Sequence, residues 1–430
     1  MPTTVKYLWT GIPSANAGYA TVKLNGAASK VRMVASTNPD MGSPVMGPEV
    51  MPDATFKVAK LSISDLTPNT MYYYGVQIDG ILDKVSLGQF KTDSILQVTS
   101  SALSHRVGFS ACFDKVEGVG PWAAMLSLSK QMDFFIHMGD FHYGNVWGRN
   151  KDLTTEAHYH AQYDAIFADP NRHKFFRSIP QAYTWDDHDF GGNNLCGRNA
   201  QNLKLKVSDI ALAAMQRLNP NNPVALTESD GKSAFYHSFV KGRVRYIASD
   251  LRSHKMVKGV TDSSKKTMMG LAQKMWWKQE IVAAKNSGQV VCWVSSVPWY
   301  APKVAGEDDW GGYSVERTEL ANHIAACGMG GKVIVLSGDM HSAAVKDTVN
   351  YATNGNGSTV CLHAAPLANN GSKKGGPAWT KIFPGETTAA HFQYGILDVM
   401  DDGSTLKMHF QALNRDGKVV VEHIFVPITV

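Results

Sequence analysis

Short β-type runs, separated by clusters of Gly, Pro, Asn and Asp, make up the first part of the chain. They span residues 19–24, 30–35, 55–63, 70–78 and 87–91. Strands this short, with turn residues between them, are typical of a small antiparallel sandwich. We therefore expect an N-terminal all-β domain over residues 1–95, followed by a linker over residues 96–105.

From Arg106 onwards, continuous apolar runs alternate with longer helical patterns. This alternation predicts buried parallel strands joined by crossover helices. The expected strands are 107–112, 133–140, 182–187, 244–250, 290–296, 332–339 and 359–365. The expected helices are 122–130, 153–167, 207–218, 268–285 and 315–327. Antiparallel strands are expected near the C-terminus, so residues 106–430 are predicted to form one α/β domain.

Composition agrees with two globular domains. A chain of 430 residues is longer than one hydrophobic core usually supports. Hydrophobic residues make up 44% and charged residues 18%, which argues against disorder. No apolar run approaches the roughly 20 residues needed to span a bilayer, and the first residues lack the pattern of a signal peptide. We expect no transmembrane segment and no signal peptide in the chain as given.

The net charge and the spacing of the cysteines bear on which partners and which structural sites the sequence predicts. A formal net charge of +5 suits anionic substrates but does not establish nucleic-acid binding, and we expect no specific nucleic-acid partner. The five cysteines lie far apart without a CxxC pair, which indicates neither a zinc knuckle nor a dense disulfide framework.

Polar side chains gather where the predicted strands end, at the edge where open α/β sheets bind ligands. They offer thiol, carboxylate, phenol and imidazole groups, which are all metal ligands. The residues are Cys112, Asp140, Tyr143, Asp187, His188, Asp339 and His341. Alone, a Gly-Asp pair can be a turn and a Cys can be a core residue. The three carboxylates of "WDDHD" either form a solvated loop or require a cation or other partners that offset their repulsion. Together the four strand ends predict a metal site.

Six stretches carry a family resemblance. They are "FSAC", "DFFIHMGDFHY", "TWDDHDFGGNN", "ASDLRSHK", "MMGLAQKMWWKQEI" and "LSGDMH", in this order. They resemble the alkaline phosphatase D (PhoD-like) family of calcineurin-like metallophosphoesterases over most of residues 106–430. The resemblance implies a four-layer αββα metallophosphoesterase sandwich behind an N-terminal fibronectin-like all-β domain. It also implies an extracellular or periplasmic location.

Residue by residue, the resemblance implies a set of metal ligands and two catalytic residues. The ligands would be Cys112, Asp140, Tyr143, Asp187, Asn193, Asp339 and His341, with Asn194 as the alternative to Asn193. His188 would contact the phosphoryl oxygen or protonate the leaving group. Arg252 would hold a phosphate oxygen, with a structural contact to Asp250 as the alternative.

The ligand types agree with the iron and calcium that the resemblance implies. Thiolate and phenolate ligands favour a trivalent ion, because a phenol of pKa about 10 loses its proton at neutral pH only beside a strong Lewis acid. The second site would be rich in oxygen, because "VSSVPWY" supplies no histidine. Oxygen ligands suit calcium better than zinc, although other divalent ions remain open at this site.

These observations predict hydrolysis of phosphate monoesters, diesters or both by metal-activated water at a dinuclear iron–calcium site, with Asp140 as the bridge. Substrates would be small-molecule or lipid phosphate esters. The alternatives are a phospholipase D-type phosphodiesterase, a non-catalytic metal-binding surface module and a redox centre at the thiolate-bound iron. The stretch "AGEDDWGGY" is expected to form a mobile loop at the rim of the pocket.

Overall fold

The structure is a computed structural model that describes residues 2–94, 102–114, 120–128, 131–144, 153, 155–197, 205–219, 235–371, 379–383 and 392–429. Parts of the expected linker and of two expected helices, residues 96–101, 129–130 and 154, therefore lie outside the described residues. Among the described helices, none has the length and apolar character to cross a bilayer.

The N-terminal region is an antiparallel sandwich. Its strands are β1 (Val5–Thr10), β2 (Gly18–Leu24), β3 (Val31–Ser36), β4 (Val45–Met46), β5 (Val58–Ile63), β6 (Met71–Ile78), β7 (Ile81–Leu82) and β8 (Gly88–Lys91). One sheet has the order β1-β2-β5; the other has the order β4-β3-β6-β7, with β8 also paired to β6. All five runs expected from the sequence form strands. The missed strand β1 is buried on both faces, so it lacks the alternating pattern of a half-exposed strand.

Thirteen further strands lie within the described residues. They are β9 (His105–Ser110), β10 (Phe134–Met138), β11 (Gln181–Thr184), β12 (His237–Lys241), β13 (Val244–Ala248), β14 (Val290–Ser295), β15 (Val333–Ser337), β16 (Ala343–Asn350), β17 (Ser358–Ala364), β18 (Lys381–Phe383), β19 (Gln393–Asp401), β20 (Thr405–Asn414) and β21 (Val419–Thr429). Since β8 ends at Lys91 and β9 begins at His105, the boundaries at residues 95 and 106 stay a prediction.

Seven α-helices and a short 3₁₀ helix are described. They are α1 (Trp122–Leu128), α2 (Glu156–Phe167), α3 (Pro170–Ser178), α4 (Asp187–Phe190), α5 (Leu205–Leu218), α6 (Leu271–Asn286), α7 (Ser314–Ala326) and the 3₁₀ helix Trp310–Tyr313. Helix α3 was not expected, although its start is marked in the sequence. Asp169 accepts hydrogen bonds from the N–H groups of Asn171 and Arg172, and Pro170 occupies the first helical turn.

The strands from β9 onwards form two mixed sheets. The first has the order β11-β10-β9-β19-β20-β21, in which β9, β10 and β11 are parallel. The second has the order β12-β13-β14-β15-β17-β16-β18, with β13, β14, β15 and β17 parallel. The parallel strands of each sheet therefore present their carboxyl ends along one edge.

The two sheets pack face to face, with helices on the outside. Residues of both sheets, such as Phe109, Ile136, Cys292 and Leu336, share one buried cluster. Helices α1, α2, α3 and α5 pack on the first sheet, and α6 and α7 on the second. The result is the predicted four-layer αββα arrangement.

Strand β1 joins the sandwich to the larger domain. The ring of Trp9 lies 5.6 Å from the rings of Phe141 and Phe167, and Tyr7 stacks on Phe167 at 4.4 Å. An isolated parallel bridge joins Gly11 to Gln181 at the start of β11. Burial of large aromatic side chains stabilises such an interface by about 1.5–3 kcal/mol each.

Candidate metal centre

The carboxyl ends of four parallel strands from the two sheets meet at one place. Cys112 follows β9, Asp140 follows β10, Asp187 follows β11 and Asp339 follows β15. The contacts that join the sheets here include a hydrogen bond of the Thr184 hydroxyl to Ser249 O at 2.7 Å and one of Trp185 Nε1 to Asp250 Oδ1 at 2.7 Å. The edge predicted from the sequence therefore collects the candidate ligands.

The turns that carry these ligands are strained. Cys112, Asp140, Asp339 and His341 have φ of 62°, 55°, 70° and 55°, a left-handed conformation that side chains other than glycine rarely adopt. Such strain persists only where the surrounding structure holds it, and it concentrates at functional sites. Gly139 allows the close approach of two of these turns, because a Cβ atom here would lie 2.5 Å from Asp186 Cβ.

Asp140, Tyr143 and His341 converge on one point. The Tyr143 hydroxyl donates to Asp140 Oδ2 at 2.7 Å and lies 3.2 Å from His341 Nε2. His341 Nδ1 lies 2.6 Å from the carbonyl oxygen of Asn370. A carbonyl only accepts, so Nδ1 carries the proton and Nε2 keeps a lone pair directed at the tyrosine oxygen. This is the arrangement in which a backbone carbonyl orients a metal-binding histidine.

A second group of ligand atoms lies beside the first. Asp140, Asp187 and His188 each offer one such atom, and these atoms lie within 4.8 Å of one another. Asp187 is held in place by the N–H of His188 at 2.9 Å and the N–H of Asn194 at 2.5 Å. The His188 ring is tilted by 38° against the Tyr143 ring, with the two centroids 4.1 Å apart, and the backbone N–H of His188 lies 3.2 Å from Asp140 Oδ1. His188, predicted as a catalytic residue, thus also stands among the possible ligands.

Electrostatics favour a cation at this place. Burial and the charges of Asp187, Asp186 and Asp189 raise the pKa of Asp140 well above its ordinary value. Burial, Asp140 and Asp339 raise the pKa of the Cys112 thiol, against a hydrogen bond with Tyr143. A bound cation would reverse both shifts, because it stabilises the deprotonated ligands that now repel one another.

Asp187 differs from its neighbours. Burial raises the pKa of Asp187, but the charges of Arg252 and His188 and the N–H of Asn194 outweigh burial and hold the pKa below its ordinary value. Asp187 therefore carries its negative charge at neutral pH, as a ligand of a cation would need to do.

Arg252 lies in a buried ion network beside the centre. Its Nε donates to Asp186, its Nη1 lies 2.5 Å from Asp308 Oδ2, and its side chain is fully buried. The backbone N–H of Arg252 donates to Asp250 Oδ1 at 3.0 Å. The structural contact between Arg252 and Asp250, named above as the alternative, is therefore present, although the main chain of Arg252 makes it. Its Nη2 is buried without a hydrogen-bond partner among the described residues. The phosphate-binding role stays a prediction.

The predicted ligand Asn193 lies in the turn after α4 and is exposed, whereas its alternative Asn194 has φ of 58° and gives its N–H to Asp187.

The loop "AGEDDWGGY", expected at the rim of the pocket, is more closely packed than predicted. Trp310 is fully buried, and Asp308 accepts from Lys255 Nζ at 2.6 Å as well as from Arg252.

Sequence reasoning missed the roles of Asp186 and Asp189. Asp186 binds Arg252 and the Ser296 hydroxyl, the latter at 3.0 Å. Asp189 is fully buried and accepts backbone N–H groups of the turn after β10. The motif "WDDHD" signalled an unusual density of carboxylates, but the direction of each one depends on the turn.

Comparisons with known proteins agree with this geometry. The family model of PhoD-like phosphatases matches residues 109–398. No curated protein matches the chain. A solved structure described as PhoD has a TM-score of 0.78 at 17% identity and covers 98% of this chain and 88% of its own. Purple acid phosphatase PPD1 from seeds of yellow lupin (Lupinus luteus) has a TM-score of 0.63 at 13% identity, with 98% and 73% covered. These similarities confirm the predicted fold, a calcineurin-like αββα sandwich behind an all-β domain.

Proposed function

This chain belongs to the PhoD-like phosphatase family and is a metal-dependent phosphoric ester hydrolase, and we propose that it cleaves phosphate mono- and diesters at a dinuclear iron–calcium site. The observation that carries the proposal is the convergence of Asp140 Oδ2, the Tyr143 oxygen and His341 Nε2, with Asp187 and His188 beside them. Only Asp140 belongs to both groups, which suits a residue that bridges two metals.

The iron position would be held by Cys112, Asp140, Tyr143 and His341. Burial and the carboxylate of Asp140 raise the pKa of Tyr143 well above its ordinary value, so phenolate here needs a strong positive partner. Ferric iron supplies that charge and accepts thiolate, phenolate and imidazole ligands.

The calcium position would be held by Asp140, Asp187, Asp339 and the side chain of Asn193 or Asn194. These groups offer oxygen atoms, which calcium prefers. Among the described residues, His188 is the imidazole that belongs to this group, so other divalent ions remain compatible with the position.

The metals, when bound, supply Lewis acidity that lowers the pKa of water and offsets charge on the phosphoryl group. The protein side chains do the rest. His188 is placed to donate a proton or a hydrogen bond to the substrate, because its ring lies against Tyr143 beside Asp140. Arg252 holds Asp186 and Asp308 and has one guanidinium nitrogen left for a phosphate oxygen.

We expect the purified protein to contain iron and calcium and to show a visible charge-transfer band. Cys112→Ala and Tyr143→Phe should each weaken or shift this band and lower the iron content, since each removes one ligand. Cys292→Ala is the matched control, because Cys292 is a buried thiol of the same two-sheet core. The test is metal analysis and absorption spectroscopy of the wild-type protein and of these three variants. A colourless wild-type protein without iron would exclude the ferric assignment.

Arg252→Lys is expected to raise the KM for an aryl phosphate about tenfold with a smaller change in kcat, a loss of about 1.4 kcal/mol in binding. Lysine keeps the charge but cannot bind Asp186, Asp308 and substrate at once. Arg243→Lys serves as control, because Arg243 makes a comparable ion pair with Asp401 at a distance from the centre. An unchanged KM would assign Arg252 a structural role.

Assays with aryl monoesters, aryl diesters and a phosphatidylcholine would decide between monoesterase, diesterase and phospholipase D-type action. No hydrolysis of any ester by metal-loaded protein would favour the non-catalytic module.

We also propose an extracellular or periplasmic location, on the basis of the family alone, and fractionation of the source cells tests it.

A further inference from the structure

Asp189 ties together the two turns that carry Asp140 and Asp187. Its Oδ2 accepts the N–H of Asp140 at 2.6 Å and that of Asp186 at 2.9 Å, and its Oδ1 accepts the N–H of Phe141 at 2.8 Å. The side chain is fully buried. One carboxylate thus serves three backbone donors from the ends of two adjacent strands.

The same turn is fixed on its other side. The carbonyl oxygens of Gly139 and Asp140 accept the N–H groups of Cys112 at 3.1 Å and Phe113 at 2.7 Å. The N–H groups of the turn therefore point to Asp189 after β11, and its carbonyls point to the segment after β9. Three strand ends are joined at Asp140.

Without Asp189 the N–H groups of this turn would lose their acceptor. Asp140 has a left-handed φ of 55°, which is unfavourable for an aspartate, and its N–H and that of Phe141 would be buried without an acceptor. Each unsatisfied buried donor costs about 1–3 kcal/mol, so the turn would move to find another acceptor.

Asp189 does not belong to the group of candidate ligand atoms. That group is formed by Asp140, Asp187 and His188, whereas the two oxygens of Asp189 accept three backbone N–H groups. Its contribution is therefore made through the backbone of its neighbours.

We propose that Asp189 is a positioning residue. It holds the Asp140 carboxylate in a place where this carboxylate can bridge two metals, and it fixes the position of Asp187 relative to Asp140. The inference rests on the proposed metal site. Its function is to preorganise the ligands, which raises metal affinity and the rate of hydrolysis without contact with the substrate.

Asp189→Asn is the direct test, because asparagine has the same shape but only one accepting oxygen. We expect the folded variant to bind calcium at least about tenfold more weakly by calorimetry on iron-loaded protein, in line with other losses of outer partners of metal ligands. We also expect a shifted visible band and a lower kcat, with KM for an aryl phosphate changed less.

Glu316→Gln is the matched control. Glu316 is also buried, and it accepts the Met268 N–H at 2.5 Å and the Thr267 hydroxyl at 2.7 Å beside α7. It should lose stability without any change in metal affinity or spectrum. If Asp189→Asn fails to fold, Asp189→Glu replaces it; this variant keeps the charge but shifts the accepting oxygens, and its calcium affinity should fall below that of wild type.

The inference is overturned if the folded Asp189 variant tested binds calcium and turns over substrate as wild type does. It is equally overturned if Glu316→Gln weakens metal binding as much as the Asp189 variant, since general destabilisation would then suffice. Failure of the proposed function is a different result, namely a wild-type protein that retains no metal and cleaves no ester.

Discussion

Asp140→Asn is expected to lower kcat/KM for phosphate esters by about 10³-fold, which corresponds to about 4 kcal/mol of transition-state stabilisation. Asp140 Oδ2 accepts from Tyr143, and another Asp140 oxygen faces the His188 N–H. It is the residue shared by the two groups of ligand atoms. An amide would weaken both metal positions together, so we expect the largest single loss of activity here.

The stability of this variant separates lost chemistry from lost structure. In metal-free protein, burial and three neighbouring aspartates raise the pKa of Asp140, so its negative charge is unfavourable to the fold. Metal-free Asp140→Asn should therefore melt at the wild-type Tm or above it, although it is inactive. Asp398→Asn, which breaks the ion pair with Arg106, should leave activity unchanged. An Asp140→Asn enzyme with nearly wild-type activity would contradict the bridging role.

The second large effect is a steep loss of stability in mild acid. Burial lowers the pKa of His137 and His363 to about 3 and that of His105, His160 and His173 to about 4. In the unfolded chain these side chains have a pKa near 6.5. They are therefore neutral in the folded protein at pH values where the unfolded chain is already protonated.

The direction of the change in stability with pH follows from this difference between the folded and unfolded pKa values. The contribution of each histidine to stability is fully present above pH 6.5 and is lost as the pH falls from about 6.5 toward its folded-state pKa, by about 1.4 kcal/mol per pH unit and histidine. We expect the Tm to fall steeply between pH 6.5 and 4.5 in thermal melts. His137→Leu should make this fall shallower, because His137 lies in an aromatic cluster with Phe141 and Tyr183. The partly exposed His158→Leu is the control, and a flat Tm over this range would refute the prediction.

The fold could be predicted from the sequence because its strongest signals are local. Continuous apolar runs marked β10, β14 and β15, and the residues after them marked the edge where ligands meet. Two elements were missed. Strand β1 was missed because the sandwich core buries Leu8 while the larger domain buries Tyr7 and Trp9, and α3 was missed because its cap at Asp169 was overlooked.

The site could be predicted less completely, and "WDDHD" shows why. Its three carboxylates are equivalent in sequence, yet the turn directs them to different partners. Asp186 faces Arg252, Asp187 belongs to the candidate metal-binding group and Asp189 faces the amides after β10. Partners that lie far away along the chain decide these roles, and a single sequence does not reveal them.

The aromatic contact between Trp9 and Phe141 bears on how this enzyme could be re-engineered or could have evolved. Phe141 directly follows Asp140, so a change of N-terminal domain would alter the packing behind the turn that carries this candidate ligand. An N-terminal sandwich taken from a relative would have to supply an aromatic side chain that packs on Phe141 as Trp9 does. Otherwise we expect the resulting chimeric enzyme to lose activity. The N-terminal domain thus packs directly behind the turn that carries Asp140.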